Sequence, residues 1–525
     1  MASRDKYERI MDICKRRGIM WPSYEIYGGL SGFVDLGPVG VLIMNRIKEE
    51  WRDLFVRKQG NVEISTPILA PMIVFKASGH LSHFKDPMVE CSSCHRRFRG
   101  DQLISQVGGE PLEGLSLKEL QEKLSESDVR CPECGGELSK PRYFLTMFKT
   151  VIGPYRSSTG YARPEAAQGM FVDFKRVFEA SRERLPIGVA QIGKALRNEI
   201  SPRQGPIRLR EFTIMEFEFF YDPLEDKCDR LIEVLDRKLR IVTCDERLSG
   251  REEPIEATVS EALEKNYIRS EWMAYFMALS TAFLEGLGIP RDKQRFHEKL
   301  PYERAHYSRQ TFDQEVLLDR WGWTEVAGFA HRSDYDLKGH MKYSKVDLTV
   351  YRADPPPGRR IIPHVVEPSF GAERLLYAVL EYALTEKGDR VILGLPRRVA
   401  PYHLAVFPLL TREPLAIKAR EIYEYLLDNR FDVYYDEKGS IGRRYARADE
   451  IGIPLALTVD YQTLEDETVT LRDRDTWGQL RVPVNGLDEI LLRYYRDNSI
   501  DFKGLEKIVG GLPVSGVPHG DRSYC

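Results

Sequence analysis

The chain has 525 residues and a mass of 60.6 kDa, too long for one core, and implies two or three domains. Its net charge of −3, with 42% hydrophobic and 30% charged residues, excludes a globally basic nucleic-acid binder, so any such face would be a local patch. The first twenty residues are charged throughout and no apolar run reaches the length of a membrane span, so a cytoplasmic protein without membrane attachment is expected.

In chain order, an amphipathic helix is expected over Tyr7–Arg17, followed by the Gly-rich YGGLSGFVDLGPVG. A second helix is expected over Val41–Phe55, where Leu42, Ile43, Ile47, Trp51 and Leu54 are spaced for one buried face. GNVEISTPIL predicts a strand entered through Gly60 and ending near Pro67. Residues 90–140 change character: Cys91-x2-Cys94 and Cys131-x2-Cys134 flank a helical LSLKELQEKL, a spacing that suits tetrahedral Zn2+ with Gly135 and Gly136 allowing the tight turn. His95 is not expected to ligate, and Cys14, Cys228, Cys244 and Cys525 show no metal pattern. Strand-like runs dominate from Arg142 to Phe220, and Lys227 to Leu287 reads as largely helical. Strands return from Trp321 to Val366, and GAERLLYAVLEYAL closes the section as a helix. Past the Pro-rich LPRRVAPYH, alternating strands and helices predict a separate α/β domain, ending in a Gly/Pro/Ser-rich tail expected to be mobile.

KALRNEISPRQGPIRLREFTIMEFEFF predicts strand, loop, strand, with Ser201, Pro202, Gly205 and Pro206 in the turn. Alternation places Arg197 and Glu199 on one side, and Phe212, Ile214, Glu216 and Glu218 on one face of the second strand. Arginines can grip phosphate or carboxylate, and a Phe face can stack on adenine. Phe212 to Glu216 spans roughly 13 Å at about 3.3 Å per residue, near the reach from a purine to the far end of an adenylate. A surface hairpin laced with Arg–Glu pairs would read the same way on charge pattern alone.

The order Arg197-x-Glu199, loop, Arg208-x3-Phe212 resembles motif 2 of the class II aminoacyl-tRNA synthetases; GNVEISTP resembles motif 1 and GAERLLYAVLE motif 3. YARPEAAQGMF, REFTIMEFEFF, GWTEVAGFAHRSDYDL and VVEPSFGAER resemble the homodimeric glycyl-tRNA synthetases, over about residues 5–505.

The resemblance implies an α+β catalytic domain, a class II synthetase fold with a central antiparallel sheet flanked by helices, over 1–89 and 141–396. Within it would lie a zinc module at 90–140 and a mostly helical insertion at 227–300. An α/β anticodon-binding domain at 400–505 and a flexible tail at 506–525 would follow. It implies an enzyme that uses ATP with Mg2+ to activate glycine and load it onto tRNA(Gly), as a homodimer with structural Zn2+. Catalytic roles would fall on Arg197, Glu199 and Arg374, and further ATP contacts on Asn198, Ile207, Arg208, Leu209, Arg210, Glu211, Phe212, Glu325, Val326, Gly371, Ala372 and Glu373, with Glu325 toward Mg2+. Glycine would meet Glu165, Glu216, Glu367 and Ser369, with Arg99, Phe212, Thr213, Ile214, Met215, Pro368, Phe370 and Gly371 around it. Lys438, Arg443, Arg444 and Arg447 would face tRNA. Open alternatives are a class IIa synthetase for threonine, proline or histidine, and a synthetase-derived subunit that binds nucleic acid without chemistry.

Overall fold

The computed structural model describes residues 5–108, 115–127, 129–154, 158–353, 356–388, 390–497 and 499–510; most of the tail expected to be mobile lies outside them. The chain divides into two compact units, Met1–Tyr382 and Ala383–Cys525. The division falls before residue 396, because the hairpin formed by Leu384–Lys387 and Arg390–Leu393 belongs to the second unit.

The first unit is built on one nine-stranded sheet. Its strands in chain order are β1 (Val62–Glu63), β2 (Ile187–Leu196), β3 (Glu211–Tyr221), β4 (Lys238–Val242), β5 (Ile255–Thr258), β6 (Gln294–Glu298), β7 (Thr311–Leu318), β8 (Gly322–Ser333) and β9 (His364–Gly371). Their order across the sheet is β5-β4-β6-β7-β8-β9-β3-β2-β1. The six central strands, β6 to β2, are antiparallel, and parallel pairs occur at the flanks, β2 with β1 and β4 with β6.

The predicted first helix is α1 (Lys6–Arg16), capped by the Asp5 carboxylate on Glu8 N–H. The second, α2 (Pro38–Trp51), starts on a proline at its first turn and continues through a π-helical stretch, Arg52–Arg57. Ile43, Ile47, Trp51 and Phe55 are fully buried on one side of it. Trp51 and Phe55 pack on Phe217 of β3 and Phe370 of β9, so α2 covers the back of the sheet. The motif-1 strand is shorter than predicted: only Val62 and Glu63 pair, with Val189 and Ala190.

Two further readings are corrected. The run from Arg142 to Phe220 contains a helix, α3 (Ala167–Ala180), whose Met170, Phe171, Phe174 and Phe178 pack on the front of the sheet through Phe220. Residues 227–300 are not a mostly helical insertion. They supply β4, β5 and β6 to the central sheet, and their longest helix, α4 (Glu271–Gly286), covers its back through Trp272 and Phe276 on Phe219. Strand β8 leads into α5 (Tyr335–Ser344), and β9 into α6 (Ala372–Ala383).

The cysteine-bearing segment builds on a three-stranded sheet of Lys85–Glu90, Arg97–Arg99 and Arg142–Leu145, so its framework reaches beyond 90–140 on both sides. It has a small core of its own, including Val89, Phe98, Ile104, Leu120 and Leu124, and a helix Leu117–Glu126 closed by a Ser116–Glu119 capping box.

The second unit carries a five-stranded mixed sheet of β10 (Leu404–Pro408), β11 (Val433–Tyr435), β12 (Leu455–Val459), β13 (Thr468–Asp473) and β14 (Gln479–Pro483), in the order β11-β10-β12-β13-β14. Helices α7 (Leu415–Asp428) and α8 (Ile441–Ile451) belong to this α/β unit, as the alternating pattern predicts. Among the described residues, no helix is long and apolar enough to cross a membrane.

Candidate functional site

A cleft on the front of the large sheet is formed by β3, β8 and β9, the residues linking β2 to β3, and the start of α6. Alternation along β3 directs Phe212, Ile214 and Glu216 into it, while Met215 and Phe217 are buried on the back.

At one end lie the arginines. Arg197 and Glu199 both line the cleft, although β2 already ends at Leu196. The Arg197 guanidinium sits 5.3 Å from the Phe212 ring centroid and 5.5 Å from that of Phe84, and its Nε donates to Pro164 O at 3.1 Å. Arg208 forms a 2.6 Å ion pair with Glu199. In the first turn of α6, Arg374 donates to Ile207 O at 2.7 Å and to the Glu325 carboxylate at 3.0 Å, tying the loop, β8 and the helix together. Glu325 stands at a bulge between β7 and β8, which turns Val326 out of register and into the wall of the cleft. Beside it, burial pushes Asp313 up to about 7, with Glu325 adding and Lys299 opposing.

At the other end is a buried acidic cage. Glu165, Glu216 and Glu367 line it and are at most 6% exposed. Cross-strand from Glu216 stands Ser369 of β9. A residue the motifs did not single out organises this end: Arg332, the penultimate residue of β8, fully buried. It donates to Glu367 at 2.9 Å, to Glu165 at 3.2 Å, and through two nitrogens to Asp336 of α5 at 2.8 and 3.0 Å. Tyr307 covers its face at 3.8 Å. Glu165 also accepts from Gln168 at 2.9 Å and lies 3.4 Å from His80, and Glu216 accepts the Ala166 N–H at 2.7 Å. Burial opposes the charge of Glu165, yet Arg332 and His80 overcome it and hold that carboxyl well below the usual range. Burial pushes Glu367 well up, against Arg332, with Glu218, Glu216 and Glu165 adding. The available signal for Arg332 was its i,i+4 spacing from Asp336 within HRSDYDL.

Several expected contacts fall outside the cleft for reasons of strand geometry. Thr213, Met215, Pro368 and Phe370 alternate away from it; Met215 and Phe370 are fully buried, and Thr213 donates from N–H and Oγ1 to Glu373 at 2.7 and 2.9 Å. Glu373 and Gly371 line the cleft, while Ala372 points into the core. Ile207 and Leu209 line it, but Asn198 gives its N–H to Thr146 O, and Arg210 is turned to Glu199 O and Ser31 O. Glu211 and Arg99 are not among the lining residues; Arg99 is paired with Asp101 and Asp86, beside the cleft-lining Arg208 and Glu199.

In the second unit, Lys438 and Arg443 are exposed at the start of α8. Arg444 is not: it is 2% exposed and donates to Gly439 O and Pro408 O, so it holds the loop and cannot grip phosphate. Arg447 is bound to Asp436 at 2.7 Å, which neutralises part of the expected patch.

The four cysteines Cys91, Cys94, Cys131 and Cys134 converge, with Cys91–Cys134 and Cys94–Cys131 Sγ separations of 3.5 and 3.6 Å. A tetrahedron of Zn–S bonds of about 2.3 Å has edges of roughly 3.8 Å, so the donor set fits. Gly135 takes a φ of +72° at the second knuckle, and a Cβ on Gly136 would come within 2.9 Å of Cys91 Sγ. His95 is turned away toward Glu90 at 3.7 Å.

Residues 403–494 match the family model described as an anticodon binding domain. Proteins named Glycine--tRNA ligase resemble nearly the whole chain. That of Aeropyrum pernix is 46% identical over 572 aligned positions, covering 95% of this chain and 98% of the relative. That of Pyrococcus furiosus is 44% identical, covering 91% and 97%, and that of Methanocaldococcus jannaschii 41%, covering 93% and 99%. With this identity over nearly its full length, and with the cleft described, the chain belongs to the glycine--tRNA ligase family.

Proposed function

We propose that the cleft joins glycine to ATP as glycyl-adenylate and passes the glycyl group to the 3′ end of tRNA(Gly). The observation that carries this reading is the cage of Glu165, Glu216 and Glu367 at the closed end of an arginine-lined cleft. Glycine offers no side chain to hold. Affinity must come from its ammonium, which carboxylates attract, and selectivity from Ser369 crowding the α-carbon.

The glycine carboxylate attacks the α-phosphorus of ATP in line and pyrophosphate leaves. The terminal ribose hydroxyl of tRNA then attacks the acyl carbon, and AMP leaves. Arg197, stacked against Phe212, grips the carboxylate and α-phosphate while Phe212 stacks on adenine. Arg374, with the N-terminus of α6, faces the outer phosphate, and Glu199 holds Arg208 toward the nucleotide. Glu325, a carboxylate in the cleft wall that also accepts from Arg374, is proposed to help hold the Mg2+ that accompanies ATP, which would supply neutralising charge on the phosphates. ATP–pyrophosphate exchange should depend on glycine, with alanine, serine and threonine at least about 100-fold poorer in kcat/KM. Equal exchange with alanine would overturn the amino-acid assignment.

The outer features fit a class II synthetase. The four cysteines are proposed to hold a structural Zn2+. Purified protein should carry about one zinc per chain, and Cys131→Ser should lose it and lower the melting temperature of the segment; metal-free wild-type protein that melts normally would refute the site. Lys438 and Arg443 are proposed to meet tRNA phosphates. A second copy is proposed to cover Ile26 and Tyr27, 88% and 83% exposed, together with Leu69, Met72 and Ile73 beyond the motif-1 strand.

A further inference from the structure

Glu218 lies two residues beyond Glu216 on the same face of β3, behind the ammonium cage. It is fully buried, and no donor among the described residues reaches either carboxyl oxygen. Oxygens of Glu216, Glu218 and Glu367 all lie within 4.8 Å of one another, so the charge of an ammonium bound by the first and last acts on the second at short range. The charged groups facing Glu218 come from several elements: Glu216 on its own strand, Glu367 on β9, Arg332 on β8, Asp336 on α5 and Glu165 before α3. Five carboxyls therefore gather around the Arg332 guanidinium, with His80 beside Glu165 and Arg163 acting on Glu216 as further basic groups. Four of them have hydrogen-bond donors; Glu218 has none. An ionised carboxylate without donors in such a place is costly, and the group takes a proton instead.

We propose that Glu218 holds a proton as a placeholder cation in the empty site, and that the ammonium of glycine displaces it, so that substrate binding releases one proton. The O–H bond of Glu218 breaks, its electron pair stays on the carboxylate, and the proton passes to solvent base by way of Glu216 or Glu367, which open to the cleft. Burial, with Glu216, Asp336 and Glu165 adding and Arg332 opposing, raises Glu218 well above the usual carboxylate range, in keeping with this state. The sign follows by linkage. Glycine binds the ionised form, so protons compete with it and affinity weakens as pH falls below the raised value. The inference rests on the ammonium reading of Glu216 and Glu367. Glycine-dependent exchange tests that reading, whereas the proton count tests this one.

The experiment is calorimetric titration of glycine into the full-length protein near neutral pH in buffers of different ionisation enthalpy, paired with the pH profile of kcat/KM for glycine. The wild type should release about one proton per site and gain up to about tenfold in kcat/KM per pH unit below the titration. Glu218→Gln, close in shape and without the ionisable proton, should release almost none and flatten the profile, while kcat/KM for ATP keeps its wild-type pH dependence and so reports an intact fold. Absence of proton release in the wild type overturns the proposal whatever the variant does. Undiminished release from Glu218→Gln overturns it as well, because the proton then resides elsewhere, with Glu367 the next candidate.

Discussion

Replacing Arg197 with alanine should lower glycine-dependent ATP–pyrophosphate exchange by about 100- to 1,000-fold, with the loss chiefly in kcat, and leave the fold intact. The magnitude is that of removing one preorganised charge donor from a developing transition state, roughly 2.7–4 kcal/mol. Arg197 is half-buried, its guanidinium lies against Phe84 and Phe212, and its one protein hydrogen bond of note runs from Nε to Pro164 O. That bond and the two rings fix the plane of the guanidinium and leave its terminal nitrogens for the substrate. Loss of the side chain removes cation–π contacts worth about 1 kcal/mol and one hydrogen bond to Pro164 O worth about as much, but no ion pair to a buried carboxylate, so the melting temperature should fall only modestly. Lysine at the same position should rescue part of the rate, since it restores charge without the planar fork. Exchange within threefold of wild type for the alanine variant would refute the role of this arginine.

The ATP end of the cleft was legible because it is local. Arg197, Glu199, Arg208 and Phe212 sit within sixteen residues, and alternation alone assigns Phe212, Ile214 and Glu216 to one face of β3. The same rule, applied without the neighbouring motif, would have removed Thr213, Met215 and Phe370 from the substrate list. Arg332 was illegible for the opposite reason. A single arginine in a strand reads as surface, and its burial follows from the meeting of Glu165, Asp336 and Glu367 through tertiary packing. Arg444 erred the other way, a member of an apparent basic patch whose guanidinium satisfies backbone carbonyls inside its own loop. In residues 227–300 the apolar run of α4 masked the short, charged strands KLRIV and IEAT, whose strand character comes from their neighbours in the sheet. The Met170, Phe171, Phe174 and Phe178 spacing of α3 was helical throughout, but strand-like sequence on both sides obscured it.

Arg332→Met should be the most damaging single change in the first unit, destabilising it by about 3–5 kcal/mol and removing glycine activation. Methionine keeps much of the volume, so the loss reports charge rather than a cavity. Without the guanidinium, Asp336 loses both guanidinium nitrogens and keeps Gln168 Nε2 at 2.9 Å, while Glu367 loses its 2.9 Å partner and Glu165 its 3.2 Å partner, all in a largely buried region. These carboxyls must then take up protons or stay charged without compensation. The pH dependence separates this from a packing defect. In the wild type, Glu165 is held below its usual range, so its contribution to stability is present above the unfolded value and fades as pH falls through the folded one. In the variant only His80 and Gln168 remain to favour that charge, so the contribution is reduced, and the gap from wild type should be largest near neutrality and narrow on acidification. Unfolding followed by tryptophan fluorescence reports mainly this unit, because all the tryptophans except Trp477 lie within residues 1–382. A stability gap that stays constant between neutral and acidic pH would mean that Arg332 acts as a packing element, and the charge-balanced cage would have to be abandoned.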